Sequence, residues 1–284
     1  MKILLPTTLL LALLFGRAVL AQSPEKEKPS TAILIAAHRG GYASDKEDKA
    51  PENSLSNVEI AVAKGFDVYE TDIQRTADGV LVVVHDETLD RETNGSGTAD
   101  KHTLEELKKL QKRFKDGSVS EQKVATLEEL LLAGKGRILF KADLKPGVID
   151  HFDDLAKMLH RIEMEDQVYL RTGFKDTWKI AKLFKEGTPK VEVMFKVSTA
   201  KQVQDVAERF SPKTIHIEIA KDEVLSDERK AAIHAALEAG MLVQTHCYRD
   251  REQLRSLIDA GVRMFHTADP DGVLRYLREQ NLRD

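Results

Sequence analysis

The residues best equipped for chemistry in this 284-residue chain gather at the ends of short β-like runs. Glu70 and Asp72 are two residues apart, and so are Asp143 and Lys145. On a strand, residues i and i+2 share a face. If these runs end at one place, three carboxylates converge there. Buried together and unpaired, they are costly. A hard divalent cation removes that cost, and oxygen donors without cysteine favour Mg²⁺ or Ca²⁺ over zinc. The alternative is a set of ion pairs with Arg39, Lys141 and Lys145. His38, His85, His246 and His266 lie at or just past strand ends. Histidine trades a proton near neutral pH, so two of them beside a metal suit general base and general acid roles. Arg39 and Lys145 fit an anionic substrate, and a guanidinium can grip two phosphate oxygens at once. A carboxylate substrate satisfies the same charge logic.

These side chains need strands to carry them. Strand candidates are Ile33–Ala37, Asp67–Ile73, Val80–His85, Arg137–Lys145, Gln167–Arg171, Val191–Val197, Thr214–Ile219, Met241–His246 and Arg263–His266. Helical patterns fall between nearly all of them, at Ser54–Lys64, Thr126–Ala133, Thr199–Phe210, Asp227–Ala239 and Asp250–Ala260. Gly65, Gly134, Gly240 and Gly261 follow four of these as stop signals. Strand–helix alternation predicts parallel strands joined by crossovers. Only Arg75–Gly79 separates the second and third strands, too little for a crossover. That pair is expected to be a hairpin turning at Asp78-Gly79. Eight parallel strands then remain, which is the count of a (β/α)8 TIM barrel with a hairpin over its mouth. An open doubly wound sheet is the other arrangement. It would show a glycine-rich phosphate loop after its first strand, where this chain has His38-Arg39-Gly40-Gly41.

Residues 1–21 read as a secretory signal: Lys2, an apolar run from Ile3 to Gly16, and Val19-Leu20-Ala21 before a cut at Gln22. A secreted or periplasmic location is expected. Residues 22–31, with Pro24 and Pro29, read as a disordered lead-in, and 32–284 as one barrel domain. The net charge of -4 argues against a nucleic-acid binder. No later run is long enough to span a bilayer, so no stable membrane insertion is expected. The single cysteine, Cys247, excludes an internal disulfide.

The ordered motifs resemble the glycerophosphodiester phosphodiesterase family, within the phosphatidylinositol-phospholipase-C-like superfamily. They are His38-Arg39-Gly40, Pro51-Glu52-Asn53-Ser54, Glu70-Thr71-Asp72, Thr76-Ala77-Asp78-Gly79, Val82-Val83-Val84-His85-Asp86, the run from Leu89 to Gly97, Ala125–Leu130, Asp143-Leu144-Lys145 and Thr267-Ala268-Asp269-Pro270. The likeness is dense from Ala37 to Lys145 and sparse beyond. It implies a TIM barrel and one divalent cation, Ca²⁺ or Mg²⁺, held by Glu70, Asp72 and Asp143. It implies His38 as proton acceptor, His85 as proton donor, and Arg39 and Lys145 on the phosphate. Glu52 would lie close to the site, unless it is only an acid at a helix start. The implied reaction is hydrolysis of small glycerophosphodiesters to glycerol 3-phosphate, or a phosphorylated head group, and an alcohol. Asp143 stands where the family more often has Glu. Arg171 and Lys196 occupy strand ends that are often less charged. They are expected either to contact a second anionic group or to pair with Glu218. The rivals are a phospholipase-type relative acting on lipid head groups and a non-catalytic anion-binding barrel. Polar mouth loops at Gly41–Lys49 and Glu87–Lys101 argue against the first, and the complete set of histidines and carboxylates against the second.

Overall fold

The structure is a computed structural model, and it describes residues 32–41, 50–220, 223–247 and 250–283. The expected leader, the lead-in and 42–49 of the first mouth loop lie outside the described residues.

The strands are β1 (Leu34–Ala37), β2 (Val68–Arg75), β3 (Leu81–Val83), β4 (Gln111–Arg113), β5 (Val119–Lys123), β6 (Leu139–Leu144), β7 (Val168–Gly173), β8 (Val193–Val197), β9 (Thr214–Ile217), β10 (Leu242–His246) and β11 (Met264–Thr267). The helices are α1 (Leu55–Lys64), α2 (Leu104–Leu107), α3 (Leu127–Gly134), α4 (Phe152–Arg161), α5 (Thr177–Lys185), α6 (Ala200–Phe210), α7 (Asp227–Glu238), α8 (Arg251–Asp259) and α9 (Pro270–Glu279). β1, β2, β6, β7, β8, β9, β10 and β11 pair in parallel in that order, and β11 returns to pair with β1. The sheet is therefore closed, a (β/α)8 barrel as expected.

β3 runs antiparallel to the upper end of β2, with Ile73 opposite Val83 and Arg75 opposite Leu81. Gly79 turns the hairpin at φ 92°, where a side chain would be strained. The main core lies between the strands and their helices, from Ile35 through Phe140, Phe152 and Phe195 to Leu277. A small apolar plug of Ala36, Val68, Tyr169, Met194 and Met264 fills the lower barrel.

Helix ends follow local chemistry. The Ser54 hydroxyl accepts the N–H of Asn57 to open α1, and Gly65, at φ 76°, closes it. Thr126 and Glu129 form a capping box on α3. Gly134 differs from expectation: it is the last residue of α3 rather than the residue that stops it. Its lack of a side chain serves packing, because a Cβ there would sit 2.5 Å from the Phe140 ring.

The stretch between His85 and Val124, where only a polar mouth loop at Glu87–Lys101 is expected, holds further elements. It forms a compact annex of α2 and the β4–β5 hairpin, built on Val82, Val84, Leu89, Ala99, Leu107 and Val124. Its strands, Gln-Lys-Arg and Val-Ser-Glu-Gln-Lys, lack the apolar alternation that marks a half-buried strand.

Candidate active site at the carboxyl ends of the strands

The register of β2 against β6 sets Glu70 beside Lys141 and Asp72 beside Asp143. One carboxylate oxygen from each of Glu70, Asp72 and Asp143 lies within 4.8 Å of the others. Cations ring the three acids. Lys145 Nζ is 3.0 Å from Asp72 Oδ1, and Arg39 Nε is 3.9 Å from Asp72 Oδ2. Lys141 Nζ is 3.0 Å from Asp143 Oδ1 and 3.9 Å from Glu70 Oε1, and Arg171 Nη1 is 3.0 Å from Asp143 Oδ2. The ion pairs foreseen with Arg39, Lys141 and Lys145 are thus present. Even so, Asp72 Oδ2 is buried with no hydrogen bond, and Asp143 Oδ1, although 3.0 Å from Lys141 Nζ, is not met in hydrogen-bonding geometry. Burial and then the neighbouring Glu70 charge push the Asp72 carboxyl up to about 8, against the pull of Lys145. For Glu70 burial works in the same direction, but Lys141, His38 and Arg39 outweigh it and hold the acid below its ordinary range. An oxygen-only triad with orphaned lone pairs, two of its acids buried and the third half-buried, fits a hard divalent cation. Two other clusters, His38–Glu70–His266 and His85–Asp86–Glu92, also bring donor atoms together. In the second, the donors are already engaged with one another and with backbone N–H groups.

Arg39 is delivered by a tight turn. After β1 the chain bends at His38–Gly41, with Arg39 at φ 49° and Gly40 at φ 79°. Only glycine fits at position 40, since a Cβ would lie 2.3 Å from the Tyr69 ring and 2.4 Å from Asn57 Nδ2. Asn57 Nδ2 donates to the Arg39 carbonyl at 2.8 Å, and Arg39 N–H donates to Glu70 Oε2 at 2.8 Å. Arg39 Nη1 donates to Glu52 Oε1 at 2.9 Å. Glu52 also accepts from Arg91 Nη1 at 3.0 Å and Nη2 at 2.7 Å. Ser54 caps α1, so Glu52 is not a helix-start acid; it braces two guanidiniums. Burial would raise its carboxyl, but the Arg91 hydrogen bond and the charges of Arg39, Arg91 and Lys112 keep it low.

His85 follows β3 and is held from behind. Glu92 Oε1 accepts the backbone N–H of both His85 and Asp86 at 2.8 Å. Glu92 itself pairs with Lys112 of β4 at 3.5 Å, both fully buried. Asp86 Oδ1 engages His85 Nδ1 at 2.7 Å, which leaves Nε2 for a ligand. The His38 and His85 ring centroids are 6.3 Å apart, and His38 and His266 5.0 Å. Burial, assisted by Arg39, Lys141 and His85 and opposed by Glu70, lowers the His38 pKa and favours its neutral ring. His266 Nε2 lies 3.2 Å from Glu70 Oε2, and its Nδ1 contacts His246 Nε2 at 2.9 Å.

A family model described as "Glycerophosphoryl diester phosphodiesterase family" matches residues 38–272. The chain belongs to that family. Among its relatives, the glycerophosphodiester phosphodiesterase of Caldanaerobacter subterraneus subsp. tengcongensis is 34% identical over 163 residues. That match covers 54% of this chain and 65% of the relative, so just under two thirds of the relative's length is spanned. A glycerophosphoryl diester phosphodiesterase structure from Parabacteroides distasonis superposes with a TM-score of 0.73 at 22% identity, over 91% of this chain and 89% of that one. An Oleispira antarctica phosphodiesterase, solved with its product sn-glycerol-3-phosphate, gives 0.68 at 21% identity over 86% and 96%. At that identity both show the shared barrel.

In this glycerophosphoryl diester phosphodiesterase family member, Lys196 stands apart from the triad and pairs with Glu218, while Arg171 pairs with Asp143. The supporting roles of Asp86, Arg91, Glu92 and Lys112 emerge only from the structure. Arg91 and Glu92 fall inside the motif run from Leu89 to Gly97, which was the available signal; Lys112 had none. Among the described residues, no helix is long and apolar enough to cross a membrane.

Proposed function

We propose that the protein hydrolyses small glycerophosphodiesters, with a divalent cation, Ca²⁺ or Mg²⁺, on Glu70, Asp72 and Asp143. One observation carries this reading: an oxygen-only triad, Glu70 and Asp72 buried and Asp143 half-buried, lies among His38, Arg39 and Lys145, with His85 close to His38. When bound, the cation would neutralise charge on the phosphoryl oxygens as the phosphorus is attacked. Arg39, braced by Glu52, and Lys145 bind the remaining phosphate oxygens. His38, kept neutral by burial, takes the proton from the nucleophile. His85, fixed through Nδ1 by Asp86, gives one from Nε2 to the departing alkoxide. Arg171 and Lys196 would meet a second anionic group from β7 and β8 only by exchanging their pairs with Asp143 and Glu218 for it. The Oleispira relative's product, sn-glycerol-3-phosphate, supports glycerol 3-phosphate as one product here.

A phospholipase-type substrate gains support from one feature. Trp178 is 66% exposed in the first turn of α5, which starts from the carboxyl end of β7 and so stands on the mouth side. Val224, between β9 and α7, is 88% exposed on the same side. An acyl chain could rest there.

The test is hydrolysis of a panel of glycerophosphodiesters that includes one lysophospholipid, with Ca²⁺, with Mg²⁺ and with chelator. His38→Ala and His85→Ala are each expected to lose about 10²–10⁴-fold in kcat. Turnover that survives chelation, or survives both substitutions, would sink the reading. Turnover of the lysophospholipid alone would transfer it to the lipid class.

A further inference from the structure

Lys141 sits in the middle of β6, two residues before Asp143, and is fully buried. It differs in this from the other cations on the triad. Arg39, Lys145 and Arg171 keep side-chain exposures of 11%, 26% and 20%. Lys141 has no exposure and lies level with Glu70 in the sheet, one pleat below Asp72 and Asp143. Its ammonium is committed to Asp143 Oδ1 at 3.0 Å, Glu70 Oε1 at 3.9 Å and His266 Nδ1 at 3.3 Å.

The energetics of this placement are mutual. A buried lysine is tolerated only when paired, and so is a buried carboxylate cluster. Each offsets part of the other's penalty without any ligand. A cation 3.0 Å from a ligand oxygen also repels a second cation arriving at that oxygen, and little water intervenes to screen it.

We propose that Lys141 is a built-in counter-ion of the triad: it holds Asp143 and Glu70 in position before any metal arrives, and it weakens the site's affinity for divalent cations. Lys141 is thus a positioning residue, and the metal is a reversible visitor rather than a structural part of the barrel. The inference rests on the reading of Glu70, Asp72 and Asp143 as a metal site.

The experiment compares the whole protein with Lys141→Met and Lys141→Arg. Ca²⁺ and Mn²⁺ affinities are measured by calorimetry, and Tm is measured with chelator and at saturating metal. Lys141→Met is expected to bind metal on the order of 10- to 100-fold tighter, because the repelling charge is gone. Its Tm in chelator should fall below that of the unaltered protein, and saturating metal should close that gap. Lys141→Arg should keep the original affinity. Should the methionine variant fail to fold in both conditions, Lys141→Gln, which keeps a donor without the charge, carries the same comparison. Equal or weaker metal binding after loss of the charge, or a Tm deficit that metal does not repair, overturns the role given to Lys141. Absence of metal binding in every protein, the unaltered one included, overturns the metal site itself.

Discussion

Asp72 is where the electrostatics of the site are most exposed to test. Burial and Glu70 push its carboxyl up to about 8, against Lys145, so the metal-free protein is expected to hold a proton there at neutral pH. Divalent ions bind the ionised form, so loading at pH 7 should release about one proton per ion. Calorimetry in two buffers of different ionisation heat reads this directly, and no difference between the buffers would contradict it. Stability follows with a definite sign. The folded pKa lies above the unfolded one, so the folded chain binds more protons between them. The contribution is whole below about pH 4, where an unfolded aspartate titrates, and is lost as pH rises toward about 8. In chelator, Tm should therefore fall over this window, and Asp72→Asn should flatten the slope. The charged and histidine groups were legible in the sequence because their types and i, i+2 spacing are local facts. Their partners were not: Glu52 reaches Arg39 and Arg91 across 13 and 39 residues.

At the scale of elements, the turn between β1 and α1 decides where Arg39 points. Gly40→Ala adds a Cβ into the Tyr69 ring at a positive φ, so it should cost about 1–3 kcal/mol from the backbone alone. It should also lower kcat by displacing Arg39 and His38. A denaturant melt beside a rate assay checks both, and a variant with native stability and rate would show the turn to be permissive. The barrel strands and most of their helices were readable because alternation, capping residues and glycine stops recur with short periods. The β4–β5 hairpin was not, because its short polar strands are defined by pairing with each other and by Lys112 reaching Glu92.

At the scale of the molecule, the annex over the mouth has its own apolar cluster, separate from the barrel core. It also supplies Arg91, Glu92 and Lys112, which hold His85 and Glu52. Leu107 is fully buried in that cluster. Leu107→Ala should destabilise the annex by about 2–5 kcal/mol. Hydrogen exchange should then show residues 85–124 opening more often than β6, β7 and β8, together with a loss of kcat. Equal changes in annex and barrel would mean that the two unfold as one unit.

The sequence by itself determined the eight-strand alternation, the hairpin at Asp78-Gly79 and the chemical types at the strand ends, because these depend on neighbours a few residues away. Tertiary structure alone decided how those ends meet. Parallel pairing set β2 beside β6 and brought Asp72 against Asp143, and barrel closure buried Lys141 between Glu70, Asp143 and His266. Such contacts join residues up to 125 apart. Their energies come from burial and mutual charge, which no local pattern encodes.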